Sequence, residues 1–220
     1  VGSEMCIRDR VIDDVCSHED GTFSLLFHPD GVSRKNGIDL SVVNQQAAVD
    51  IRPLWPDYLT ESDFEHDFPY NLKLKAHQGP KAKKTDEMET YYSVTYPIKA
   101  QSVKFITAII LKDSPTSKNI PQVTRLKGDD LQGVRIAKGD KITDVYLNTR
   151  ADGHIMHRNS CTNVNGWDTD AYLLAFSYKK GTDPAVSKNI LEWFIGYGSY
   201  VRNAHESIFD SYTKKYKVIR

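Results

Sequence analysis

Short apolar runs broken by turn residues repeat along almost the whole chain. From Val11 onward the segment RVIDDVCS, the turn HEDG and the run TFSLLFHP predict a hairpin with Asp20-Gly21 at its tip. LSVVNQ, AAVDIRPLW and NLKLKAH are further short strands. YYSVTYPI leads through KAQS to VKFITAIILKD, whose β-branched residues suit a sheet interior, and Pro97 marks a strand end. GVRIAKGDKITDVYLNTRADGHIMHRNS carries two turns, Lys138-Gly139-Asp140 and Asp152-Gly153, at the spacing of an antiparallel meander. Within it, Thr143 to Thr149 alternates so that Val145 and Leu147 share one face. AYLLAFSYKKG, ILEWFIGYGSYVR and ESIFDSYTKKYKVI complete the series.

Helical periodicity is poor. Only SKNILEWFIGY suits a turn or two of helix, and its aromatics suit a strand equally. About a dozen strands exceed what an immunoglobulin domain needs. The expected fold is therefore all-β, a large antiparallel two-sheet β-sandwich. No internal repeat points to a propeller or solenoid. The polar stretch from Asp57 to Lys84 is the one long irregular region, acidic at its start and basic at its end. It reads either as a functional loop or as a solvated excursion whose opposite charges attract.

Composition narrows the classes. Of 220 residues, 40% are hydrophobic and 26% charged, a globular mixture. Lys+Arg and Asp+Glu both total 29, so there is no global basic field and nucleic acid is not the expected partner. The longest apolar stretch, Phe105 to Leu111, is too short to span a bilayer, so no membrane span is expected. Three cysteines are too few for a disulfide scaffold and lack zinc-type spacing.

The opening decapeptide VGSEMCIRDR has neither a starting Met nor the regions of a signal peptide. It resembles the translated sequencing-adapter scar found at the ends of reading frames in environmental assemblies; the plain alternative is a disordered tag. On the first reading residues 1–10 are non-native and pack against nothing, Cys6 leaves the cysteine count, and the missing signal peptide says nothing of secretion.

Candidate chemistry is sparse. His154 and His157 form an H-x-x-H, but on a strand residues three apart face opposite sides and cannot share an ion. NVNGWDTD, Asn163 to Asp170, is rich in oxygen ligands yet lacks the terminal Glu of a calcium loop; a turn before strand AYLLAFSY is preferred, with a calcium site as the alternative. His28 follows the apolar run Phe23 to Phe27 and precedes Pro29, a place for a ligand, a catalytic group or an ordinary strand-end histidine. Trp55, Trp167 and Trp193 can stack on sugars but more often fill a core. There is no G-x-S-x-G, P-loop, G-x-G-x-x-G or H-E-x-x-H, and no carboxylate pair can be assigned to glycoside hydrolysis.

Several segments, in order, resemble the C-terminal β-sandwich of heparinase II/III-like polysaccharide lyases. RVIDDV and FSLLFHP are similar to its "D-D/R-V" and "W-L-L-H" strands. VKFITAIILKD and then PQVTRLKGDDLQGVRIAKGDKITDVYLNT resemble its "G-V-R-hydrophobic…G-D-x-x-D-hydrophobic" run. TDAYLLAFSY is similar to its "T-D-A" strand, and GSYVRNAHESIFDSYTKKYKV to its closing "G-S-Y-L-R…D-S" segment. The resemblance spans roughly residues 10–220 and implies one sandwich domain, 11–220, preceded in the same chain by an α/α toroid.

The resemblance implies β-elimination on an anionic, uronic-acid-containing polysaccharide such as alginate, ulvan or a glycosaminoglycan, in the periplasm or outside the cell. That reaction needs neutralisation of the C5 carboxylate, a base for the C5 proton and an acid for the leaving oxygen. The family places its Tyr and His mainly on the toroid, so no catalytic residue is carried onto this chain, and the fragment alone is expected to be inactive. One metal ligand is carried over: His28, ending the "L-L-F-H" strand, as part of a structural zinc site whose other His and Asp come from earlier strands. The alternative reading is a non-catalytic carbohydrate-binding or cell-surface sandwich, because a fold does not fix a function.

Overall fold

The computed structural model describes residues 8–36, 39–45, 47–56, 74–81, 84–96, 99–128, 131–149 and 161–220. These form antiparallel strands; the one helical element among the described residues is a 3-10 turn at Ser187–Asn189. The all-β expectation holds. The chain divides into two compact units, Val1–Ile120 and Pro121–Arg220.

The first unit holds β1 (Arg8–Gly21), β2 (Ser24–Phe27), β3 (Val32–Asn36), β4 (Asp39–Asn44), β5 (Ala47–Trp55), β6 (Lys75–Lys81), β7 (Lys84–Thr95) and β8 (Ala100–Lys112). One sheet runs β1-β8-β5-β4-β3 and the other β2-β7-β6. Leu40 and Val42 of β4 meet Tyr92 and Val94 of β7, with Leu74, Phe27, Val49 and Ile51 around them. These alternate positions make one inner face per strand, so the two sheets pack as a sandwich. On the opposite face of the larger sheet, β4 and β5 carry charge beside buried Ala108 and Ile110 of β8. Arg52 binds Asp39 in a fork at 2.7 and 2.5 Å, Ser41 donates to Asp50 at 2.7 Å, and Lys112 pairs with Asp50.

Two expectations are corrected here. β1 and β2 do not form a hairpin: β1 pairs with β8 and β2 with β7, so the chain changes sheets across residues 21–24. Asp20-Gly21 resembles a hairpin tip, but the non-local partners β8 and β7 offer longer ladders than the four-residue β2 gives β1. The decapeptide also does not stand clear of the fold over its last three residues. Arg8, Asp9 and Arg10 pair with Ile110, Ile109 and Ala108. Backbone pairing asks little of side-chain identity, so almost any sequence can extend a ladder. Residues 1–7 lie outside the described residues.

The second unit is one eight-stranded sheet: β9 (Gln122–Gly128), β10 (Leu131–Lys138), β11 (Lys141–Asn148), β12 (Thr162–Val164), β13 (Trp167–Thr169), β14 (Leu173–Lys179), β15 (Ile190–Arg202) and β16 (Ser207–Ile219). Turn chemistry fixes its hairpins. Gly139, at φ 60°, opens the two-residue link between Lys138 and Lys141. Asn165 and Gly166, at φ 49° and 87°, make the doubly left-handed turn that Asn-Gly favours. The core of this sheet gathers Trp167, Trp193, Phe176, Leu174 and Ile195. Trp167 and Trp193 meet edge to face at 5.1 Å, and Trp167 donates to the Pro184 carbonyl at 2.9 Å. With Trp55 buried as well, all three tryptophans fill cores. Val145 and Leu147 share a buried face as their alternation predicts, but Tyr146 between them is buried too.

Candidate functional site

His28 closes β2 on the outer face of the three-stranded sheet. On β7, Tyr92 and Val94 point into the sandwich, so Glu89 and Tyr91 point away from it. On β6, His77 sits directly opposite Tyr91. Three rings therefore stack across three strands. His28 lies 5.1 Å from Tyr91 with planes 14° apart, and His77 lies 4.9 Å from Tyr91 at 16°. His28 Nδ1 faces Glu89 Oε1 at 3.2 Å, and His77 Nε2 faces Ser93 Oγ at 2.8 Å. Gly79 makes room for the stack, since a Cβ there would sit 3.0 Å from the Tyr91 ring.

This geometry fixes what the row can do. Tyr91, the middle ring, has both faces covered by imidazoles and turns only its edge to solvent. The row presents imidazole nitrogens, a phenol and a carboxylate as hydrogen-bonding groups rather than a platform for a sugar ring. Tyr91 stands between the two imidazoles, so they cannot share an ion that needs each nitrogen at about 2.0–2.1 Å. His28 and Glu89 are half of the four donors zinc takes. No group of three or more His, Cys, Asp or Glu stands together among the described residues. By themselves these residues do not fit a zinc site.

The loop after His28 separates two recesses of the first unit. One, of about 440 Å³, is apolar and lined by Phe27, Val42, Val49, Ile51 and Leu111, with His28 and Asp30 at its margin. The other, of about 370 Å³, is polar and lined by Asp30, Gly31, Ser33, Glu89 and Thr90. Asn44 holds the loop by donating to the Asp30 carbonyl at 3.2 Å. Gly31 is required there: at φ 150°, a Cβ would lie 2.6 Å from the Val43 carbonyl oxygen.

The second unit holds a buried charged cluster. Asp144, fully buried, takes a two-pronged bond from Arg135 at 2.8 and 2.8 Å and another from the Tyr178 hydroxyl at 2.9 Å. Burial, then the Asp144 charge, pushes the Tyr178 phenol up to about 12. Burial also raises Tyr146, whose hydroxyl accepts from Asn165 at 3.0 Å. The Asp144 hydrogen bond raises Arg135 further. Phenols held this firmly neutral serve as structural hydrogen-bonding groups, Tyr178 donating and Tyr146 accepting. The oxygen-rich segment is likewise used locally. Asn163 accepts from the Gly166 N–H at 3.0 Å and donates to Asp168 at 2.8 Å. The turn reading holds there. His154 and His157 lie outside the described residues, as does most of the Asp57 to Lys84 stretch.

The sequence singled out His28 but not its companions Glu89, Tyr91 and His77. Period-two spacing of Glu89 and Tyr91 was the available signal, and it was masked because the charged half of β7 reads as loop. Arg135 and Asp144 had a clearer signal. The Gly139-Asp140 turn sets a register that puts them directly opposite each other. No protein-family model and no curated protein matches the chain. No helix among the described residues is long and apolar enough to cross a membrane.

Proposed function

We propose that this chain is the β-sandwich portion of a polysaccharide lyase that cleaves uronic-acid-containing anionic polysaccharide by β-elimination, in the periplasm or outside the cell. One observation carries the reading: the segments that resemble heparinase II/III-like sandwiches interlock in space. In Thr169-Asp170-Ala171, Asp170 accepts from the Ser199 N–H at 2.7 Å and Oγ at 2.6 Å, and from the Tyr200 N–H at 3.3 Å. Ala171 lies where a Cβ on Gly198 would come within 2.7 Å. In the other pair of segments, Arg135 of G-V-R meets Asp144, which follows Gly139-Asp140 after three residues, one more than in G-D-x-x-D. Motif residues that hold one another are what a shared sandwich demands of its sequence.

On this reading the sandwich contributes binding and support, while the base, acid and carboxylate-neutralising group reside on an upstream toroid of the same chain. A structural zinc at His28 would need its other His and Asp from strands upstream of this chain, since His28 and Glu89 supply only two donors. The test is recovery of the upstream reading frame. Several hundred residues of helical pattern with His and Tyr candidates are expected. A secretion signal leading straight into Val11 would instead favour a non-catalytic carbohydrate-binding or cell-surface module.

A further inference from the structure

The last ten residues, SYTKKYKVIR, carry four cations and no acid in a chain whose formal net charge is zero. They lie in and just beyond β16, which among the described residues pairs with β15 alone. Opposite Phe194 sits Val218, so Val218, Tyr216 and Lys214 share one face of this ribbon. The contacts agree. The Tyr216 ring is 5.8 Å from that of Tyr197, and Lys214 Nζ stands 5.6 Å over Tyr197. Tyr216 is 73% exposed and Tyr212 fully so. Lys215 and Lys217 are exposed on the other side of the same strand.

Lysines on an edge strand have a plain purpose, to discourage edge-to-edge pairing. That purpose needs charge only. It does not account for Tyr212, Tyr216 and Val218, which place apolar area in water beside the lysines. Aromatic rings interleaved with ammonium groups match a polymer whose repeating unit offers both an apolar ring face and an anionic group. A lysine suits such a group as a compact, hydrated point charge, with no fixed fork to satisfy. The wider field is neutral, so attraction acts only at short range and along this strip.

We propose that the open edge of β16 in the β15–β16 ribbon binds anionic polysaccharide, with Tyr216 against a sugar ring, and with Lys214 from the same face and Lys215 and Lys217 from the opposite face flanking that edge against carboxylate or sulfate groups. This rests on the lyase reading for its ligand class, and it assigns the contact to a surface remote in sequence from the His28 row.

The experiment is affinity electrophoresis of the purified chain through alginate, heparan sulfate and neutral dextran, with a single-stranded oligonucleotide as a competitor. The wild type should be retarded by at least one anionic polymer and not by dextran. Lys214→Glu/Lys215→Glu/Lys217→Glu should weaken that retardation by about tenfold or more. Tyr216→Ala, which leaves every charge in place, should weaken it as well, while Lys180→Glu on the turn after β14 should not. Unchanged thermal midpoints would show that the variants fold. Retardation of the wild type with full retention in the lysine variant overturns the strip and leaves the lyase reading standing. No retardation of the wild type by any anionic polymer overturns the strip, while the lyase reading stands or falls by product formation from the extended protein. Preferential competition by the oligonucleotide overturns the ligand class.

Discussion

Asp170 and Ser199 are joined twice, backbone N–H and side-chain hydroxyl both donating to one buried carboxylate at 2.7 and 2.6 Å. The bond repairs an irregularity. Thr169 at the end of β13 pairs with Val201 and Leu173 at the start of β14 with Gly196, so four steps across the β13–β14 link match five on β15. The extra residue lies at Tyr197, whose φ is 54°. A bulge of this kind frees donors from the ladder. Asp170 satisfies the N–H groups of Ser199 and Tyr200 and so locks the kink into one register.

Removing that carboxylate leaves buried donors without a partner. Asp170→Ala should lower stability by about 2–4 kcal/mol, against about 1 kcal/mol for Ser199→Ala, which loses one hydroxyl bond. Urea unfolding of both variants measures this.

Gly198 and Ala171 set the approach of the same two strands. Gly198→Ala should cost about 1–3 kcal/mol, because its new Cβ would meet the Ala171 backbone at 2.8 Å as well as the Ala171 side chain. Thermal unfolding should show a lowered midpoint with the strand content by circular dichroism unchanged.

Arg135 and Asp144 are unequal partners. Asp144 is wholly buried, and Arg135 is 37% exposed. Arg135→Met strands a buried carboxylate and should cost about 3–5 kcal/mol, whereas Arg135→Met/Asp144→Asn should cost less than the single change. A denaturant double-mutant cycle tests the order of the three.

The raised phenol gives a pH signature. Tyr178 is pushed up to about 12, above the ordinary value near 10, so the unfolded chain releases its proton first. The resulting contribution to stability is complete below about pH 10 and falls away as pH rises through the folded value. Tyr178→Phe should flatten this alkaline decline. Unfolding midpoints taken across that window check it.

His28 is exposed over half its surface and paired with Glu89. Such a pair is worth about 0.2–1 kcal/mol, so His28→Ala should change the stability of the chain little. The purified chain should also hold no stoichiometric zinc by metal analysis, since two donors are too few.

The all-β class was legible because Leu40, Val42, Val145 and Leu147 sit at period two and the Asn165-Gly166 and Gly139-Asp140 turns carry their chemistry locally. The partition of strands between sheets was not, because the pairing of β1 with β8 spans most of the first unit and no local residue encodes it. β3 was also missed: Val32–Asn36 is polar and owes its extended form to pairing with β4. At the outer face of β7, Glu89 and Tyr91 acquire meaning only beside His28 and His77, which come from other strands.

The account rests most heavily on the lyase reading, and absorbance of the unsaturated uronate product tests it most directly. Alginate, ulvan and heparan sulfate would each be incubated with this chain and with the protein translated from the extended reading frame. The account predicts product from the extended protein on at least one polymer and none from this chain. An inactive but folded extended protein on all three, or robust turnover by this chain alone, would contradict it.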